Sequence, residues 1–162
     1  MGPLADAYRA LGVPEAELDR VVAERHAYAR RTLLPRDGVV STLEELRRRR
    51  FRLGLVSACS EDVAVVWPDT PFSGLFDGEV FSATCGYMKP DPEIFLLTAE
   101  RVGVEAGECL FVGDGANDEL SGAERAGMTA VQLRAPGEAL TRDGEAWQGA
   151  SIEHLSEVVD LT

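Results

Sequence analysis

Three short stretches of the chain combine residue types whose chemistry goes beyond packing. In Gly113-Asp114-Gly115-Ala116-Asn117-Asp118, two carboxylates sit between an apolar run, Cys109-Leu-Phe-Val112, and a predicted helix. Hard oxygen ligands in that setting suit Mg²⁺, which takes few carboxylates and completes its shell with water and substrate phosphate. A plainer role is that both acids only complement a helix dipole. Two acids with glycines that let the backbone turn sharply shift the reading toward a metal.

Lys89 is the only lysine in a chain with fifteen arginines. A compact ammonium on a flexible stem can bridge a carboxylate and a phosphoryl oxygen. The flanking Gly86-Tyr-Met and Pro90-Asp-Pro92 hold its loop against a helix start, which favours function over a solvated loop lysine. Ser57 follows Leu55-Val56 and opens a turn whose N–H groups, at Ala58 and Cys59, can face a phosphate beside the hydroxyl. Taken alone, such a serine is more often a turn former. His26, His154, Trp67 and Trp147 read as packing or surface residues.

These groups need a scaffold that gathers strand ends, and the remaining sequence supplies one. Short apolar strands are expected at Leu53–Val56, Glu79–Ser82, Cys109–Val112 and Thr129–Leu133. Helices are expected between them: Ser41 and Glu44 as a capping box leading through Leu43 and Leu46, a short helix over 61–66, a long one over Pro92–Val102 with Asp91 as N-cap, one after Asp118, and a closing helix over Ile152–Val159. Strand alternating with helix means an α/β fold with a parallel sheet and flanking helices, whose ligands lie beyond the carboxyl ends of the strands. Residues 4–34 carry helical periodicity broken at Gly12 and Pro14, an αα-hairpin that ends near residue 36. Residues 135–150 read as a surface connection without chemistry.

The chain has 162 residues and a formal charge of −12, enough for one well-buried domain and repulsive to polyanions. Nucleic acid is therefore not an expected partner, and the run Arg47 to Arg52 reads as a solvated helix end. No stretch approaches a membrane span, and three widely spaced cysteines without CxxC suggest neither disulfides nor zinc, so a cytoplasmic location is expected.

Leu55-Val-Ser57, Gly86-Tyr-Met-Lys-Pro-Asp-Pro-Glu-Ile-Phe95 and Val112-Gly-Asp-Gly-Ala-Asn-Asp118, in this order, closely resemble motifs II, III and IV of the haloacid dehalogenase-like (HAD) superfamily. Phe76-Asp-Gly and Gly127-Met-Thr look like further words of the same family. The resemblance covers residues 38–160 and implies a Rossmann-like core over residues 37–162, with residues 1–36 as the remnant of a helical cap. It implies that Ser57 and Ala58 bind the transferring phosphoryl group of a small phosphorylated metabolite. Lys89 steadies nucleophile and phosphate, and Asp114 ligates Mg²⁺ with Asp118 helping to position it.

The family's attacking aspartate opens a DxD motif after a central first strand, and this chain contains no DxD. Three expectations follow: a shortened copy of a small-molecule phosphatase, a non-catalytic phosphate- and Mg²⁺-binding module, and, least favoured, a dehalogenase relative. The missing central strand would also leave unpaired sheet edges, which strands closing up, a filling segment or a homodimer would cover.

Overall fold

The computed structural model describes residues 2–162. An N-terminal hairpin of α1 (Pro3–Ala10) and α2 (Glu15–Thr32) precedes α3 (Val39–Arg48), β1 (Gly54–Ser57) and α4 (Glu61–Val66). The chain continues through β2 (Gly78–Phe81), α5 (Ser82–Cys85), α6 (Pro92–Val102), β3 (Leu110–Gly113), α7 (Glu119–Arg125), β4 (Thr129–Leu133), α8 (Arg142–Ala146) and β5 (Ser151–Ile152). It is the α/β architecture that the alternation predicts, and every strand pairing is parallel.

The sheet is not continuous. β1 pairs only with β2, and β3, β4 and β5 form a second sheet in that order. Yet both sheets share the same two apolar layers. Side chains alternate faces along a strand, so Phe111 and Ala130 join the layer of Ile94, Phe95 and Ala123 from α6 and α7, which also takes Val80 of β2 and Val56 of β1. Leu110, Val112 and Val131 join the opposite layer with Leu43 and Leu46 of α3, Leu53 and Val158. Helices on both faces thus tie the two sheets into one core without strand pairing between β1 and β3. β3 is half-buried throughout, whereas Ala130, Val131 and Gln132 of β4 are buried. A fully paired central strand of a parallel sheet would be covered on both faces.

Asp77 sets the register of the first sheet. Its carboxylate accepts from the Leu53 N–H at 2.9 Å and from Arg52 at 3.0 Å, while its own N–H donates to the Leu53 carbonyl. These bonds hold its carboxyl below the usual carboxylate range, the Leu53 N–H contributing most. Trp67 closes the neighbouring loop, buried and stacked on Phe72 with ring centroids 5.3 Å apart. Its indole N–H donates to Glu79.

Two expectations are corrected. The Ser41–Glu44 capping box does not form, because Gly38, at φ 79°, turns the chain so that α3 starts at Val39. Ser41 then lies inside the first turn, and its hydroxyl donates to the Gly38 carbonyl, as does that of Thr42. The closing helix over Ile152–Val159 is instead the short strand β5 and a 3₁₀ turn over Leu155–Asp160. Ile152 is taken up by the ladder to Leu133, and the Glu157 carboxylate accepts the N–H groups of Glu153 and His154. Among the described residues no helix is long and apolar enough to cross a membrane.

Candidate active site

β1 and β3 end at Ser57 and Gly113, and the residues beyond them form the candidate site. The Ser57–Ser60 turn is braced from β2's side: the Cys59 N–H donates to the Ser82 hydroxyl at 2.9 Å, and that hydroxyl donates to the Cys59 carbonyl. The Cys59 N–H is therefore already engaged, which leaves the Ser57 hydroxyl and the Ala58 N–H as the turn's donors toward an anion. The Cys59 thiol hydrogen-bonds with Ser57, and burial pushes it above its ordinary pKa, so it is a poor nucleophile at neutral pH.

Lys89 reaches the second sheet. Its ammonium, with the side chain 15% exposed, pairs with Glu119, whose side chain is 4% exposed, and lies 5.9 Å from the centre of the Phe111 ring. The other Glu119 oxygen accepts the Gly115 N–H at 3.1 Å. One buried carboxylate thus ties the lysine to the loop that carries Asp114. Gly113 makes room for it: a Cβ there would stand 2.2 Å from Glu119 Oε1. Gly122 does the same for the lysine's own turn, since a Cβ at that site would meet the Pro90 carbonyl at 2.6 Å.

Asp114 is exposed. Its Oδ1 accepts the Ala116 N–H at 2.9 Å, and Oδ2 takes no hydrogen bond among the described residues. The Asp114 carbonyl is held from behind by Gln132, fully buried, whose side-chain amide also donates to the Gly144 carbonyl. Residues 135–150 thereby support the loop, because α8 brings Gly144 against Gly115 so closely that a Cβ on Gly115 would fall 2.8 Å from the Gly144 Cα.

Asp118 faces outward. Hydrogen bonds from Ser121 and Arg125 hold its carboxyl below the usual range, and Arg125 Nη1 stands 3.2 Å away. The backbone explains the difference between Asp118 and Glu119. Gly115, Asn117 and Asp118 all have positive φ, at 89°, 54° and 54°, a conformation that Gly, Asn and Asp tolerate best. A regular helix from Asp114 would put Asp114 and Asp118 on one face. The left-handed segment breaks that spacing and sends the next residue, Glu119, inward.

The donor set fits a hard cation in kind. Asp114 offers an exposed carboxylate, the ligand type Mg²⁺ accepts together with water and phosphate oxygen. Among the described residues no group of three acidic, histidine or cysteine side chains is close enough to cage a metal. No hydrogen bond joins Ser57 to Lys89 or Asp114, so the two halves of the site stand on separate sheets. His26 lies in α2 and His154 before the last 3₁₀ turn, and neither contacts Ser57.

A sequence profile for haloacid dehalogenase-like hydrolases matches residues 4–127. Glyceraldehyde 3-phosphate phosphatase of Methanopyrus kandleri is 38% identical over 106 residues, which are 63% of this chain and 44% of that protein. The crystal structure of a HAD phosphatase from Thermococcus onnurineus superposes with a TM-score of 0.67 at 25% identity, covering 98% of this chain and 86% of that one. A dehalogenase crystal structure matches with a TM-score of 0.69 at 23% identity, covering 98% of this chain and 69% of that one, a likeness of fold. The chain spans about half the length of the curated relatives it matches.

Proposed function

Since the chain belongs to the haloacid dehalogenase-like hydrolase family, we propose that it carries the phosphoryl- and metal-binding half of a Mg²⁺-dependent phosphohydrolase acting on small phosphate monoesters. The observation that carries this reading is the buried Lys89–Glu119 pair, anchored to the Asp114 loop at the end of β3. Ser57 and Ala58 take phosphoryl oxygens, and Lys89 neutralises charge on the same group. Asp114 is the protein ligand for Mg²⁺. Asp118 joins it only when its Arg125 contact opens, whereas Glu119 already lies inside. When bound, the ion would offset negative charge on the phosphoryl oxygens.

The attacking carboxylate is the part this sequence lacks. It has no DxD, and burial holds the Cys59 thiol above its ordinary pKa. The chain as given is therefore proposed to bind but not to turn over. Residues 1–36 are proposed as part of a helical cap and residues 37–162 as the core, and the unpaired edges of β1 and β3 as the place where either a strand or a second copy of the chain adds. A reducing cytoplasm is proposed as its compartment, supported by the wide spacing of Cys59, Cys85 and Cys109 without CxxC.

The test is Mg²⁺-dependent hydrolysis of p-nitrophenyl phosphate by this chain, beside a version extended upstream by any in-frame apolar strand ending in DxD. Activity in the extended protein alone supports a phosphatase whose nucleophile lies on that strand. Activity of the short chain that disappears in Asp114→Ala would refute the claim that it lacks a nucleophile. Inactivity of both, with phosphate still bound, would favour the second reading, a non-catalytic binding module.

A further inference from the structure

The hairpin of α1 and α2 sits on α4, the helix that follows the Ser57–Ser60 turn. Polar contacts fasten it to α4 and to the Trp67–Asp69 turn that follows. The Leu4 N–H donates to Glu61 at 2.6 Å, Arg30 pairs with Asp69 at 2.9 Å, and Arg25 Nε stands 2.8 Å from Asp62 Oδ2. A cavity of about 330 Å³, lined by Ala5, Asp19, Val22, His26, Glu61 and Val65, interrupts the apolar packing between them. The third contact differs from the others because Asp62 is completely buried. Its Oδ2 has no aligned hydrogen bond, so Arg25 meets it as an ion pair, while its Oδ1 accepts from the Ser60 hydroxyl.

We propose that Arg25 and Asp62 are positioning residues for the anion-binding turn, so that the hairpin sets the conformation of Ser57–Ser60 through one ion pair whose carboxylate is buried. The inference rests on reading that turn as the phosphate site. A buried carboxylate keeps its charge only while it is paired. Asp62 has two partners, one on the hairpin and one at the last residue of the turn. Without Arg25 the carboxylate loses its charged partner and is drawn toward water, which alters what it offers to Ser60. The turn is also held through Cys59 and Ser82, and the Ser60 carbonyl accepts the Val63 N–H. Arg30–Asp69 fastens the same hairpin but touches no residue of the turn, which makes it the natural control.

The experiment follows the backbone amides of Ala58, Cys59 and Ser60 by NMR in the whole chain, first without ligand and then during titration with inorganic phosphate. Arg25→Met and Asp62→Asn should shift these amides in the free protein and weaken phosphate about tenfold, part of the cost of orphaning a buried partner falling on the turn. Arg25→Lys should recover part of the affinity, and Asp69→Asn should leave both readouts unchanged. Should Arg25→Met fail to fold, Asp62→Asn, nearly the same shape without the charge, carries the comparison. Unchanged turn amides in a folded Arg25→Met or Asp62→Asn protein overturn the proposal, whatever phosphate does. If the amides shift but neither wild type nor Ser57→Ala shows a phosphate effect, the phosphate reading of the turn fails while the positioning by Arg25 stands.

Discussion

Replacing Lys89 by methionine tests whether Glu119 is the buried anchor of the site. Unit charges in contact at an effective dielectric of about 20 attract by roughly 5 kcal/mol, much of it offset by desolvation on folding. Removing one partner exposes that desolvation cost. Glu119 is the more buried member and keeps only the Gly115 N–H once Lys89 is gone. Lys89→Met should therefore cost about 3–5 kcal/mol, the range for breaking a buried pair. Glu119→Gln leaves a lysine that can still turn toward water, and should cost less, about 1–3 kcal/mol. The double variant removes the orphaned carboxylate and should recover about 2 kcal/mol relative to Lys89→Met, because an uncharged pair no longer has to be desolvated. Urea unfolding of the four proteins at pH 7 reads these differences. A thermal scan should show Lys89→Met melting roughly 6–20 °C below wild type, at about 2–4 °C per kcal/mol for a chain of this size. A loss below about 1 kcal/mol in Lys89→Met, the range of an exposed pair, or a double variant no more stable than that single one, would show that the two side chains do not form a coupled buried pair.

Gly122→Ala should destabilise by about 1–3 kcal/mol, because the added methyl meets the Pro90 carbonyl and displaces the Lys89 turn, a difference visible in urea midpoints. Asp77→Asn should cost about 1–2 kcal/mol at pH 7 by weakening a charged hydrogen bond to the Leu53 N–H. The folded-state pKa of Asp77 is depressed, so its contribution is fully present above the unfolded carboxylate value of about 3.9 and fades as pH falls through the lower folded value. The wild-type and Asp77→Asn stabilities should accordingly converge in acid, and a gap that widens below pH 4 would contradict this assignment. Hydrogen exchange should find the gap-facing amides of Gly54–Ser57 and Leu110–Gly113 poorly protected in this chain and slowed in an upstream-extended one. Uniform protection in the short chain at micromolar concentration would mean that its edges are already paired.

The strands and most helices were legible because their signals are local. Thr129–Leu133, Glu61–Val66 and Pro92–Val102 fall where apolar pattern and turn residues put them. Failures came where a long-range or left-handed feature overrode the pattern. Ser41 matches a capping box in spacing, but Gly38 starts α3 early, and a glycine's φ is not written in its neighbours. Gln132 and Gly144 carried no local signal, since their role behind Asp114 depends on α8 packing across the loop. Glu119 could have been found only by asking what a run of glycine, asparagine and aspartate does to helical spacing. Such residues enter the left-handed region most easily, and here the segment they form leaves Asp118 outward and turns Glu119 inward.

The divided sheet and the inward Glu119 bear on each other. A lysine this far buried needs a counter-charge, and among the described residues Lys89 has one carboxylate partner, Glu119. That pair keeps the end of β3 electrically balanced, where β1 and β3 are not paired with each other. An additional carboxylate arriving there would compete with Glu119 for the same ammonium, and Glu119 would still hold the Gly115 N–H. A flexible, three-donor ammonium can serve two carboxylates at once, whereas the planar fork of arginine is shaped for bidentate pairing with one. The same requirement explains why a chain that otherwise uses arginine places its single lysine at this point.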